Sequence, residues 1–595
     1  MATQTTAAAR HHDDGYKWTA LSNTTLGIFM AALDGSIVII SLPAIFRGIK
    51  LDPLLPANSS YLLWMLLGYL VVTAVLVVTF GRIGDIYGRV RMYNLGFLVF
   101  TLASIALSLV PNTGQLGATE LIVLRAIQGI GGALLMANST AILTDAFPPD
   151  QRGFALGTNM IAGLAGSFIG LVLGGVLADI NWRLVFWVNV PVGLFGTVWA
   201  YAKLREVGTI SRARIDWWGN ISFALGLIAL LVGITYGIQP YGNSSMGWGN
   251  PFVIGCLTGG VVMLALFCWI ELRVEQPMFD LRLFRIRAFA AGNAAGLLSS
   301  IARGGLQFML IIWLQGIWLP LHGYRYEDTP LWAGIYMLPL TFGFLVAGPV
   351  SGWLSDRFGA RPFATGGMLL AAATFAGMIF LPPNFNYTLF AVLIFLNGIG
   401  SGLFAAPNTA GIMNSVPPEA RGAASGMRAT TQNGGTVLSM GLFFSLLIAG
   451  LASALPHTLY SGLTAQGVPT EVATQVSHLP PVGSVFAAFL GYNPMQTLLG
   501  PKVLSQLPPD RAAYLTGKTF FPSLISDPFK KGLAIVFTAS LIMSLIAAAA
   551  SWMRGAFTPI TREERAGPFG APREPHPLPA ESPELAVEDV TPTAH

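Results

Sequence analysis

A chain of 595 residues that is 53% hydrophobic and only 10% charged is not built for water as its main solvent, since soluble domains carry about a quarter charged residues. The net charge of +5 does not make it a nucleic-acid binder, because Lys and Arg fall between apolar runs and form no basic face. The two cysteines, Cys256 and Cys268, share one apolar run and would lie about 18 Å apart along a helix, which excludes a disulfide between them and a metal-type cysteine site.

A helix that crosses a membrane needs roughly 20 apolar residues. In chain order such runs are read at 19–45, 61–80, 92–110, 119–146, 153–178, 184–204, 217–239, 252–271, 288–319, 331–353, 362–381, 388–413, 422–451 and 532–553, fourteen in all. Residues 1–18 form a polar tail, and the first run has no small-residue cleavage site, so no signal peptide is expected. The predicted organisation is a six-helix bundle over 19–205, two linker helices over 206–275, and a second six-helix bundle over 276–553. That second bundle includes a long outer loop at 452–531, rich in Pro, Gly, Ser and Leu, expected to fall outside the bundle, with short interfacial helices as an alternative to irregular chain. Residues 554–595, rich in Pro, Glu and Ala, read as a disordered tail.

Sidedness follows from the cations. Arg82, Arg89, Arg91, Arg152, Arg205, Arg285, Arg287, Arg357, Arg361 and Arg421 fall on the side of the N-terminus, whereas the short loops opposite hold only Arg47, Lys50, Arg183 and Arg325. Positive loops stay inside, so both termini are expected in the cytoplasm and the chain in the cell (inner) membrane.

The chain repeats itself. Gly129–Gly157 aligns without a gap on Gly398–Gly426, with identities at Gly129, Ile130, Gly131, Leu134, Ala137, Thr140, Ala141, Pro148, Pro149, Arg152, Gly153, Ala155 and Gly157. A second match sets Gly81-x-Ile-x-Asp85-x-x-Gly88-x-x-Arg91 against Gly352-x-Leu-x-Asp356-x-x-Gly359-x-Arg361. Duplicated halves that rock against each other are how alternating-access transporters are built.

Four stretches carry a resemblance: Leu33-Asp34-Gly35-Ser36 through Pro43, Gly81 through Arg91, Arg125-Ala126-Ile127-Gln128-Gly129, and Trp182-Arg183-x-x-Phe186-x-x-Asn189-x-Pro191-x-Gly193. Over about 18–450 and the last run, the chain resembles the major facilitator superfamily and, within it, the fourteen-helix drug:proton antiporter family. The resemblance implies an all-α membrane fold of two six-helix bundles and two linker helices. It also implies a part for Arg125 in proton transfer. Helix 5 carries the antiporter glycines Gly157, Gly166, Gly170, Gly174 and Gly175, with Leu171 where the family usually has proline. Helices 10 and 13 lack the acids some multidrug members carry, and helix 13 holds Arg428 instead.

Charges within membrane runs are rare and functional by default. Asp34 falls about 24 Å beyond Trp18 along its helix, near mid-membrane. Desolvation favours the neutral form of a carboxyl, so Asp34 is expected to take up and release the coupling proton; the plainer alternative is a static helix–helix contact. Arg125 has Ile394 as its counterpart in the second half, and either tunes a carboxylate or clamps Asp34 or backbone carbonyls. Arg303 and Arg428 have no matching acid in the predicted spans, and either contact an acidic substrate or line a wet cavity. Gly81, Asp85 (read as opening the third helix), Gly88, Arg89 and Asp356 are expected to form a conformational switch. The five helix-5 glycines are expected to pack one side of that helix closely.

The leading functional reading is proton-coupled export of hydrophobic or amphiphilic small molecules by alternating access. The second is a dedicated exporter of an endogenous metabolite, lipid or siderophore, anionic ones included. A membrane-embedded enzyme or a transporter-like receptor is the weakest reading. None of the seven histidines falls within a span or in a metal spacing, and no phosphate-binding loop is present. The expected partners are the substrate, protons and lipid, with no cofactor, no metal and a monomeric chain.

Overall fold

The computed structural model describes residues 14–554 apart from 53–54, 56–57, 149–150, 208–215, 243, 245, 275–276, 278, 417–420 and 492; side chains at 14, 59, 152–154, 356 and 421–423 are also outside the description. The expected terminal tails thus fall largely outside the described residues. Among the described residues fourteen helices are long and apolar enough to cross a membrane. They are α1 (Gly15–Gly48), α2 (Ser60–Tyr87), α3 (Arg89–Ser108), α4 (Gly114–Ala146), α5 (Ala155–Ile180), α6 (Leu184–Lys203), α7 (Trp217–Gly237), α8 (Pro251–Glu271), α9 (Arg287–Leu321), α10 (Thr329–Ser355), α11 (Ala360–Phe380), α12 (Tyr387–Asn414), α13 (Ala424–Ala452) and, after five short helices, α19 (Phe520–Trp552). The start of α1 and the end of α19 mark the terminal face of the bundle; the opposite end is the far face.

Helix pairing shows the duplication directly. In the first half α1 packs on α5 and α4, α3 on α4 and α6, and α2 on α4. In the second half α9 packs on α13 and α12, α11 on α12 and α19, and α10 on α12. Each pair repeats its counterpart, with α19 in the place of α6. Two equivalent contacts join the halves, α2 with α13 and α5 with α10. The linker pair α7–α8 sits beside the first of these seams, where Thr79 of α2 donates to Asn220 of α7 at 2.8 Å.

The turn between α2 and α3 is a single residue. Gly88 has φ 107° and its counterpart Gly359 has φ 84°, a region that favours glycine. Asp85 therefore ends α2 rather than opening the third helix, because helical geometry runs on to Tyr87 and only Gly88 breaks it.

The segment 452–531 is not simply an outer loop. It forms α14 (Leu455–Ala465), α15 (Thr470–Ser477), α16 (Pro481–Phe489), α17 (Met495–Leu504) and α18 (Pro509–Thr516). Every residue of α16 is buried. Phe489 meets Phe308 of α9 at 5.8 Å between ring centres, and Phe486 meets Phe444 of α13 at 5.4 Å. A nine-residue apolar helix is far too short to span, so a 20-residue hydropathy reading passes over it. The last span also begins at Phe520, inside the stretch read as loop.

The halves close on the far side. Gln315 Nε2 of α9 donates to the carbonyl of Ile40 in α1 at 3.3 Å. A Cβ on Gly334 of α10 would lie 2.8 Å from the carbonyl oxygen of Leu171 in α5. Toward the terminal face, by contrast, a Cβ on Gly157, Gly348 or Gly426 would meet nothing within 4 Å.

Candidate functional site

Asp34 and Arg125 meet at the centre of the first half. Asp34 is 0% exposed and Arg125 1%. Arg125 Nη1 donates to Asp34 Oδ2, and the same nitrogen donates to Gln128 Oε1 at 2.6 Å. Asp34 Oδ1 accepts from Gln128 Nε2 at 2.9 Å and from Asn189 Nδ2 at 2.8 Å. Gln128 Nε2 also reaches Ser104 Oγ at 2.9 Å, and the Arg125 guanidinium lies 4.5 Å from the ring centre of Tyr69. The carboxylate on α1 is thus held directly from α4 and α6, and α3 and α2 join through Gln128 and Arg125.

The spacing explains the arrangement. Arg125 and Gln128 are one helical turn apart on α4, so both reach the same neighbour. Asn189 comes from the opening of α6, and its sequence signal was the Trp182–Gly193 motif, which named the residue without its partner. A buried pair is strongly destabilising to break from one side, by about 3–5 kcal/mol, because the remaining charge is stranded. What the arrangement can do chemically is exchange one proton for one cation contact: protonating Asp34 leaves the Arg125 guanidinium without its counter-ion.

The remaining sequence candidates fall in three places. At the terminal face Arg89 pairs with Asp85 at 2.8 Å and with Asp145 of α4 at 2.6 Å. Glu206, following α6, accepts from the backbone N–H groups of Arg89 and Val90 at 2.9 and 3.0 Å and so caps α3. These contacts all join elements of the first half. Asp145 and Glu206 carried no motif signal. Gly81 has Ala137 no nearer than 4.0 Å from a would-be Cβ, whereas one on Gly84 would run into Asn138, so Gly84 is the close-approach glycine of α2. Asp356 lies in the last turn of the same helix as α10, which runs on to Phe358, and its side chain lies outside the described residues.

Helix-5 glycines divide into two sets. Gly166, Gly170 and Gly174 pack on α1; a Cβ on Gly170 would lie 2.6 Å from the carbonyl oxygen of Leu33. Gly175 faces the other half, against Leu331 of α10. Gly157 belongs to neither, since open space surrounds it. One helix that turns through 100° per residue cannot present all five positions to one neighbour.

In the second half, Arg303 of α9 has the ring of Phe344 in α10 at 5.4 Å. Its side chain is exposed. Arg428 of α13 donates Nη1 to Gln432 at 2.8 Å, and its buried Nε finds no acceptor among the described residues. Arg554, just past α19, has all three guanidinium nitrogens buried without an acceptor among the described residues, and burial pushes it down to about 10.

On the far face a cleft of about 490 Å³ is lined by Arg47, Asp179, Arg183 and Glu327. Glu327's own backbone N–H, then Lys518, Arg325 and Arg47, hold its carboxyl below the usual carboxylate range. This cleft is a charged rim rather than a deep pocket.

Comparison with known proteins agrees with this architecture. The profile described as Major Facilitator Superfamily matches residues 24–216 and 215–440. The multidrug resistance protein Stp of Mycobacterium tuberculosis is 31% identical over 73% of this chain and 76% of its own length. The tetracenomycin C resistance and export protein of Streptomyces glaucescens is 27% identical over 90% and 91%. The riboflavin transporter RibZ of Clostridioides difficile is 28% identical over 73% and 89%. Among solved structures, a bacterial homologue of the lysosomal transporter Spinster superposes with TM-score 0.53 at 16% identity, covering 91% of this chain and 97% of that one, which speaks to fold alone. The chain belongs to the major facilitator superfamily and, within it, to the drug-efflux family of multi-pass membrane transporters.

Proposed function

We propose that this transporter exports hydrophobic or amphiphilic small molecules across the cell (inner) membrane in exchange for protons. The observation that carries the reading is the fully buried Asp34–Arg125 pair inside one half of a duplicated bundle. Intramembrane charges of this kind mark ion and proton pathways. The relatives named for multidrug resistance and for antibiotic export support the direction of transport.

In this mechanism the terminal face is cytoplasmic, as the loop cations favour. With the far side closed, substrate enters from the cytoplasm into the space between the halves. Rocking about the α2–α13 and α5–α10 seams then opens the far side. A proton arriving there neutralises Asp34, releases Arg125 and resets the carrier. The Asp85–Arg89–Asp145 cluster and the Glu206 cap hold the terminal ends of α2, α3 and α4 as one body, so that the first half moves rigidly. Asp356 is assigned the matching place in the second half. A dedicated metabolite exporter is the second reading, favoured by the relative named as a riboflavin transporter.

The test is transport in proteoliposomes with and without an imposed pH gradient. Accumulation of drug against its own gradient, abolished when the pH gradient is collapsed, is expected. Uphill accumulation that persists after collapse would contradict proton coupling, and no movement of any compound would contradict export.

A further inference from the structure

We propose that the molecules carried are amphiphilic anions, and that Arg303 binds their carboxylate or similar oxyanion at mid-depth. The inference rests on the export reading above and names its substrate class.

Depth comes from the repeated packing. Gly166 abuts the backbone of Phe29 in α1, and Gly435 lies against Ser300 and Leu297 in α9, with the Leu297 carbonyl oxygen 3.2 Å from a Cβ placed on it. One turn further on, Gly170 approaches the Leu33 carbonyl, and Ser439 donates to the Ile301 carbonyl. Leu33 and Ile301 are therefore equivalent. Arg303 stands two residues past Ile301, as Gly35 stands two past Leu33. Arg303 thus lies at the depth of the Asp34–Gly35 pair, in the opposite half.

Space comes from the same equivalence. A Cβ on Gly35 would meet nothing within 4 Å. The first half leaves room at the level where the second half presents a guanidinium, and Arg303 is itself accessible.

Charge decides the class. Asp34 is saturated by Arg125, Gln128 and Asn189, so it is not free to receive a cationic substrate. No Asp or Glu occurs within α9, α11, α12 or α13, and the helix of α10 holds only Asp356, in its last turn at the terminal face. Arg303 has only the Phe344 ring as a partner among the described residues, and Arg428 lies about two turns nearer the terminal face than Gly435. A guanidinium that no acid neutralises attracts an entering anion and repels an entering cation. The guanidinium fork suits an oxyanion geometrically. Phe344 offers an apolar face beside it for the body of the molecule.

The experiment uses the full-length chain in nanodiscs and two dyes on one ring system, anionic fluorescein and cationic rhodamine 6G, followed by anisotropy and then by flux in proteoliposomes. Fluorescein is expected to bind more tightly than rhodamine 6G. Arg303→Gln should weaken fluorescein about tenfold, the loss of about 1.4 kcal/mol, and Arg303→Lys should retain part of the affinity. Gly35→Glu, for which there is room, places a carboxylate at the same depth and should weaken fluorescein similarly with Arg303 intact. Tighter binding of rhodamine 6G, or fluorescein affinity unchanged in both Arg303→Gln and Gly35→Glu, would overturn the anion assignment. If rhodamine 6G were then still pumped, export would stand; if the wild type moved neither dye, both readings would fall together.

Discussion

The two halves share a packing scheme and differ in chemistry. In both, an amide on the fourth helix bonds a hydroxyl on the third: Gln128 to Ser104 at 2.9 Å, and Asn397 to Thr374 at 2.8 Å. Around that common bond the first half adds a closed ion pair, Asp34 with Arg125, while Ile394 fills the arginine's place in the second half at 0% exposure. The second half instead carries Arg303, Arg428 and Arg554, none of them paired with an acid among the described residues. The fold stands with or without the ion pair, and the proposed function and substrate class divide the labour into proton chemistry in one half and anion contact in the other.

The comparison is broken most severely by making the first half resemble the second. Arg125→Ile alone strands the Asp34 carboxylate and should destabilise the protein by about 3–5 kcal/mol, measured as lost thermal stability in detergent. The double variant Arg125→Ile with Asp34→Ala should recover most of that stability, because it removes the stranded charge and installs the residue types that the second half carries there, Ile394 and Ala302, yet show no proton-driven transport. Recovery of coupling along with stability would mean the pair is structural. Next in size is the helix-5 contrast. Gly170→Ala pushes a methyl against the Leu33 carbonyl and should cost about 1–3 kcal/mol, whereas Gly157→Ala, in open space, should be silent in the same melting experiment.

The smallest effect is expected at the far rim. Glu327 is exposed and its ion pair with Arg325 is long, 3.5 Å, so Glu327→Gln should change stability by well under about 1 kcal/mol. Its carboxyl is held low, so whatever it contributes is present above the ordinary glutamate range and is lost as pH falls through the lowered value. Wild type and Glu327→Gln should therefore converge in stability under acid and differ slightly at neutral pH. A gap that widened in acid would reverse that sign.

Much of the fold is legible in the sequence because membrane helices announce themselves by length and apolar content. The fourteen spans and the duplicated Gly129–Gly157 stretch follow from that. Short buried helices do not: α16 is apolar but only nine residues long, and only its aromatic contacts with Phe308 and Phe444 reveal it as core. Among site residues, Asp34, Arg125, Arg303 and Arg428 stand out as charges in apolar runs. Their neighbours Asn189, Ser104 and Tyr69 are ordinary residues for a helix, and no periodicity says that five helices bring them together around one carboxylate. Asp145 and Glu206 are hidden for the opposite reason, since acids at a helix end are common and only the fold shows which arginine and which N–H groups they meet. The glycine stripe of α5 misleads by spacing alone, because Gly175 turns toward α10 and Gly157 toward open space.

Proton release on substrate binding tests the central claim most directly. Purified protein in weakly buffered solution with a pH-sensitive dye is mixed with a transported substrate, wild type beside Asp34→Asn. The account predicts that wild type releases protons as substrate binds, and that Asp34→Asn binds substrate without releasing any. Equal release from both proteins would contradict Asp34 as the coupling site, and so would binding to the wild type with no proton released at any pH across its working range.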